Sequence, residues 1–304
     1  MGDHTQAGLD KYPEVGAGST RTTAPEPPPF RPSGWLWLSI AAAVLAAVGS
    51  VIGLADSRIY AGLTPAFLPQ AIAQDIANLA LAAPAMVILA ALALRGSLRA
   101  YLLWLGVLTF TVYNYVIYVV SVPFGPLFLL WVAVLGMCIY ALIGGIASAD
   151  HDAVAAHYAT RRAVSVVAWA LIVVAILFAL LWLSEDVPAL LAGARPQSVV
   201  DVGLPTNPVH ILDLAFFLPA VIATGVMLLR RRPLGYTVAP ALIVFLILTG
   251  VPILITPAVQ AALGGMANLA VVGPIGMLTL VWLGLLVWLM STIRTPAEGL
   301  SEHD

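Results

Sequence analysis

Eight nearly unbroken apolar stretches divide the chain, each close to the roughly 20 residues a helix needs to cross a bilayer. They run at about 35–55, 75–94, 101–121, 126–148, 163–184, 208–229, 236–257 and 266–292. The break at Pro123-Phe124-Gly125-Pro126 is a turn too short and apolar to be a solvated loop. The last run is long enough to tilt or to begin before the membrane. The pattern predicts an all-α integral membrane protein with eight transmembrane helices.

The polar interruptions repeat. Asp75-x-x-Asn78-Leu-Ala continues to Pro84-Ala85, Leu94-Arg95 and Tyr101, and His210-x-x-Asp213-Leu-Ala continues to Pro219-Ala220, Leu229-Arg230 and Tyr236, all at a constant offset of 135 residues. Leu and Ala recur by chance in so apolar a chain, but a polar pair, a proline, an arginine and a tyrosine at fixed offsets do not. Four spans separate the two segments, so both point the same way. This predicts two tandem parallel four-helix repeats, 35–148 and 163–292, joined by a cytoplasmic linker at 149–162.

Composition agrees. Hydrophobic residues make up 61% of the 304 and charged residues 9%, against roughly 25% charged in soluble domains. Mean hydropathy is +1.00. A net charge of −2 excludes an electrostatic nucleic-acid binder. Cys138 is the single cysteine, so no intramolecular disulfide forms, and its apolar surroundings mark it as a small core residue. Of 13 basic residues only Lys11 is lysine, and with the abundant Ala, Gly, Pro and Arg this points to a bacterial plasma-membrane protein.

The basic residues also set orientation. Lys11, Arg21, Arg31, Arg95, Arg99, Arg161, Arg162, Arg230, Arg231, Arg232 and Arg294 fall on one side of the predicted spans, and only Arg58 and Arg195 on the other. The positive-inside rule then places both termini in the cytoplasm. Arg95, Arg99 and Arg230–Arg232 are expected at the cytoplasmic interface, as orientation determinants and as contacts for anionic lipid headgroups. Residues 1–34, with Pro25-Glu26-Pro27-Pro28-Pro29, are expected to form a disordered cytoplasmic tail ahead of an uncleaved signal anchor. Residues 293–304 read as a short acidic cytoplasmic tail. The outer linkers Asp56–Gln74 and Ser184–Asn207 mix proline with apolar residues, as short helices at a membrane surface do.

Candidate chemistry concentrates in the outer half. If Arg95 and Arg230 mark the inner interface, Asp75 and His210 lie about 30 Å away at the outer one, with Asn78 and Asp213 one turn deeper on the same helix faces. Pro84 and Pro219 are expected to kink their helices and free the carbonyls of Ala80 and Ala215. Thr111, Asn114, Tyr115 and Tyr118 form a stripe in the third span, with Tyr113 alongside, and the seventh span has no such stripe. Asp75, Asn78, Asn114, Tyr115, Tyr118, His210 and Asp213 are therefore the candidate lining of an outward-facing polar pocket, since polar groups inside a membrane usually face the bundle interior. Helix–helix hydrogen bonding alone is the competing account. No cofactor is expected; were a divalent metal bound, His210 and Asp213 are its candidate ligands. In the loop 148–162, Asp150, His151, Asp152 and His157 are better explained by Ser148 or Asp150 capping a short helix.

The chain has no GxxxxGK[ST] loop, no HExxH, no GxSxG and no lysine within a span. The reading favoured is a small transporter or permease of unspecified substrate. The alternatives are a membrane-embedded enzyme or metal or redox protein at the outer leaflet, and a non-catalytic assembly or sensor protein. The lipid bilayer is the one partner implied throughout; oligomeric state is not.

Overall fold

The computed structural model describes residues 28–31 and 34–294. Disorder expected for the leading 27 residues, and an acidic tail expected beyond Arg294, fall outside the described residues. Eight helices are long and apolar enough to cross a bilayer, which makes this a multi-pass membrane protein. They are α1 (Gly34–Ala55), α2 (Leu68–Leu94), α3 (Leu98–Ser121), α4 (Phe128–Ala147), α5 (Arg161–Leu191), α6 (Pro208–Leu229), α7 (Pro233–Ala262) and α8 (Leu269–Ser291). The described residues include no β-strand, only two isolated bridges.

Three helices outrun their apolar stretches. The expected starts and ends near 75, 184, 236 and 257 become 68, 191, 233 and 262. Gln70 and Gln74 interrupt the hydrophobic run but not the hydrogen-bonded helix, and the same holds for Glu185 and Asp186. The linkers expected at 56–74 and 184–207 keep a little of the expected helix: a 3-10 turn at Ser57–Tyr60 and a short helix at Gln197–Val202. Asp150 caps the short helix His151–Ala156, its Oδ1 accepting from the Ala153 N–H at 3.0 Å.

Each set of four helices closes a ring. In the first, α1 packs on α2, α2 on α3, α3 on α4 and α4 back on α1; in the second, α5, α6, α7 and α8 contact one another in the same order. The sets meet where α3 packs on α7, flanked by α2 on α7 and α3 on α6. Apolar burial does not drive helices together when lipid is as apolar as they are, so close approach of backbones takes over. At Gly106 on α3 an added Cβ would lie 2.4 Å from the Val244 Cβ of α7. As a result α3 and α7 are the most buried helices and α8 the least.

Several backbone devices occur twice. Immediately before Pro84 the helix widens into a π turn at Asn78–Ala82, and before Pro219 into another at Asp213–Phe217. The Ala83 N–H bonds the Asn78 carbonyl and the Leu218 N–H bonds the Asp213 carbonyl, each five residues back. The looser turn accommodates a ring that would clash with a carbonyl four residues back. At the far ends of α2 and α6, Gly96 and Arg231 both adopt positive φ, 89° and 55°. Around them Gly96 N–H bonds Ala93 O and Ser97 N–H bonds Leu92 O, just as Arg231 N–H bonds Leu228 O and Arg232 N–H bonds Met227 O.

A third device straps each ring shut. Phe30 bridges Ala149 in antiparallel fashion, with Arg31 N–H to Ser148 O and Asp150 N–H to Pro29 O. Tyr158 bridges Ile293 likewise, with Ala159 N–H to Thr292 O and Arg294 N–H to His157 O. The strap aromatic stacks on the tyrosine that opens the third helix of its ring: Phe30 on Tyr101 at 4.0 Å, Tyr158 against Tyr236 at 5.2 Å. Residues 28–31 are thus docked rather than part of the expected unstructured tail. Both straps, the positive-φ turns and the exposed Arg95, Arg99 and Arg230–Arg232 share one end of the bundle, the strap end.

Positive φ suits glycine and strains a side chain. Gly96→Val is expected to destabilise the protein by about 1–2 kcal/mol, whereas Arg231→Gly should be neutral or mildly stabilising. Thermal unfolding of the detergent-solubilised variants measures both; an Arg231→Gly loss as large as that of Gly96→Val would contradict this account of the turn.

Candidate functional site

At the end of the bundle opposite the straps, a cavity of about 330 Å³ opens between the two rings. Its walls come from α2 and α3 of the first ring and α5, α6 and α7 of the second, roofed by the segment 198–208. Four pairs of positions 135 residues apart both line it: Gln74 and Val209, Asn114 and Thr249, Ile117 and Pro252, Tyr118 and Ile253. Thr64 Oγ1 donates to the Asp201 carbonyl at 2.9 Å and ties the segment before α2 to the segment before α6. Toward the strap end the space stops at an aromatic cluster. Tyr113 meets Phe217 at 4.8 Å and Phe245 at 5.1 Å, and the two phenylalanines stack at 4.6 Å.

The sequence-nominated residues divide into two groups. Asn114, Tyr118 and His210 line the cavity. Asp75, Asn78, Tyr115 and Asp213 sit behind its walls, each buried. Asp75 was expected at the helix end, but α2 begins at Leu68, which sets Asp75 about 10 Å inside the helix. His210, by contrast, is in the first turn of α6, where Asn207 Oδ1 accepts from the N–H groups of Val209 and His210 and Pro208 needs no partner. Equal register at the 135-residue offset therefore does not mean equal depth from the helix start.

Behind the first wall, the Asp75 carboxylate accepts from two phenols: Tyr60 to Oδ2 at 2.5 Å and Tyr118 to Oδ1 at 2.8 Å. Gly53 of α1 lets it fit, because a Cβ there would lie 2.4 Å from Asp75 Oδ2. No basic side chain pairs with Asp75 among the described residues. Burial first, and then the charge of Asp75, push the Tyr60 phenol well above its ordinary value, so it remains a donor. Asn78 Oδ1 accepts from Asn114 Nδ2 at 3.2 Å and from Gln74 Nε2 at 3.4 Å, while its own Nδ2 has no partner among the described residues.

Behind the second wall, the Trp182 indole donates to Asp213 Oδ2 at 2.9 Å and stacks on His210, with ring centroids 4.4 Å apart. His210 Nδ1 lies 2.9 Å from Asp186 Oδ1, and its Nε2 lies 3.9 Å from Glu185 Oε2. The Tyr113 hydroxyl lies beside Asp213. Trp182 thus touches both His210 and Asp213, and no group of three His, Cys, Asp or Glu able to hold a metal occurs among the described residues. His151 and His157 serve the short helix and its contact with α7: His151 Nδ1 meets Thr237 Oγ1 at 2.9 Å and His157 Nδ1 meets Ala153 O at 2.7 Å.

Sequence reasoning missed Tyr60, Gln70, Gln74, Trp182, Glu185 and Asp186. Gln70, Gln74 and Asn78 recur every four residues and so share one helix face, a signal that was present. Glu185 and Asp186 fall in the expected linker Ser184–Asn207, yet α5 continues past them and through Pro188 to Leu191. Comparison with family models, with curated proteins and with solved structures gives no match.

A buried acceptor that loses a donor costs about 1–3 kcal/mol, and Tyr60→Phe is expected to lose that much stability by thermal or denaturant unfolding. Gly53→Ala should be damaging as well, while Gly136→Ala, whose Cβ meets nothing within 4 Å, should not. Equal behaviour of the two glycine variants would show that the Asp75 cluster is loose.

Proposed function

We propose that this protein is a small permease of the bacterial plasma membrane, built from two duplicated four-helix rings and binding its solute in the cavity between them. The observation that carries the proposal is the cavity's position. It lies on the junction of the rings, walled by residues at matching offsets and blocked at one end by Tyr113, Phe217 and Phe245. A site on the axis between two like bodies can be exposed to either side by rocking one body against the other.

Duplication is supported by the repeated π turns, positive-φ turns and straps, and by the same order of helix contacts in each ring. The straps hold each ring together at one end, favouring movement of whole rings over separate helices. Orientation follows from charge. With the arginine-rich strap end in the cytoplasm, the cavity opens outward and the structure corresponds to an outward-open state. Arg95, Arg99 and Arg230–Arg232 then lie exposed at the inner leaflet, placed to contact anionic headgroups.

Polar partners around Asp75 and Asp213 would also serve a purely structural assembly protein, so accessibility is the deciding measurement. In a Cys138→Ala background, single cysteines at Ile117 and Thr249 on the cavity wall and at Leu242 below the floor are exposed to a membrane-impermeant maleimide. The wall positions are expected to label from outside only, and Leu242 from the cytoplasmic side only when a transported solute is present. Leu242 staying unreactive under every solute that protects the wall positions would remove the permease reading and leave a binding or assembly protein.

A further inference from the structure

The charges around the cavity select among solutes. Among the described residues its wall includes one carboxylate, Glu185, and no lysine or arginine. The two basic residues nearest that end of the chain's path do not change this. Arg58 is spent on Asp56, with Nε and Nη2 both bonded to the carboxylate, and that bond holds the Asp56 carboxyl down to about 2. Arg195 is not on the wall. A free carboxylate entering this site would face Glu185 with no lysine or arginine among the described wall residues to compensate it.

Glu185 is also held in place. Its Oε1 accepts from the Ser198 N–H at 2.9 Å, while Oε2 accepts no hydrogen bond among the described residues and lies 3.9 Å from His210 Nε2. A carboxylate half-withdrawn from water and with one oxygen unengaged is stabilised by an incoming N–H donor that carries charge. Around it, the rings of Tyr113, Tyr118 and Trp182 favour a cation over an anion through their π electrons. The amides of Gln70, Gln74 and Asn114 offer further acceptors, and Ile117, Leu204 and Ile253 offer a surface for hydrocarbon. A few hundred cubic ångströms suits a single-ring molecule rather than a peptide or lipid.

We infer that the cavity binds a small amphipathic organic cation of the primary-amine class, with Glu185 as its counter-ion. This rests on the reading of the cavity as a solute site. The ammonium sits against Glu185 Oε2 and the hydrocarbon body lies between α3 and α7. His210 borders the same space, its Nε2 3.9 Å from Glu185 Oε2 and its Nδ1 2.9 Å from Asp186 Oδ1.

The probes are benzylamine, benzyl alcohol and benzoate, titrated against full-length protein in lipid nanodiscs and followed by calorimetry and thermal shift. Benzylamine is expected to bind and stabilise, benzyl alcohol to bind more weakly, and benzoate not to bind. Loss of a charge-assisted contact corresponds to about tenfold or more in affinity, so Glu185→Gln should weaken benzylamine by that factor and leave benzyl alcohol within about twofold. Retained alcohol binding also certifies the variant as folded. Wild-type binding of benzoate or benzyl alcohol as tight as benzylamine overturns the cation assignment and leaves the solute site intact, as does a Glu185→Gln protein that keeps full benzylamine affinity. Failure of all three probes to bind at millimolar concentration overturns the solute site itself.

Discussion

A polar side chain carried into a bundle of apolar helices must find its hydrogen-bonding partner within the protein, because hydrocarbon provides none. Helices α2 and α6 each carry a pair of such groups, Asp75 with Asn78 and His210 with Asp213, and the rest of the molecule is arranged to answer them. Much of the answer comes from α3. It presents Tyr118 to Asp75 and Asn114 to Asn78 on one side and brings Tyr113 beside Asp213 on the other. To reach both, α3 must run between α2 and α6, which puts it at the centre of the interface and against α7 at Gly106. The cavity begins where this internal supply of partners ends, and the amides of Gln70 and Gln74 and the carboxylate of Glu185 face the open space.

The backbone repeats more faithfully than the side chains do. Both rings widen into a π turn before a proline, end their second helix with a positive-φ residue and close with an aromatic strap. Yet Asn114 and Tyr118 are matched by Thr249 and Ile253, and the acid at Asp75 by an imidazole. Two rings with like backbone devices thus present different chemistry to a shared space: hydrogen-bonding amides and phenols from one side, an imidazole and the Glu185 carboxylate from the other. A solute bound there, as proposed, would meet unlike walls and so take one orientation rather than two.

Spans, their number and the helix-end arginines were legible in the sequence, because crossing hydrocarbon demands long apolar runs and leaves little freedom elsewhere. Helix ends were less so. Gln74 and Glu185 look like loop residues, since polarity alone cannot distinguish a helix turn facing an internal cavity from one facing solvent. The polar positions Asp75, Asn78, His210 and Asp213 stood out against their apolar surroundings. Their partners did not: Tyr60 and Trp182 are aromatic residues near helix ends, where such residues usually serve as interfacial anchors. Pro84 and Pro219 were readable as helix defects but not as π turns, because a kink and an inserted residue relieve the same clash.

The straps carry a consequence for assembly of the chain. Residues 29–31 pair with 148–150, so the first ring can fasten as soon as its fourth helix and the start of the following loop have emerged from the ribosome. The second fastener pairs residues 157–159 with 292–294 and cannot form until synthesis has passed Arg294. During translation of α5 through α8, a latched half-molecule therefore waits beside an unlatched one, and the interface at Gly106 is built onto a body already made.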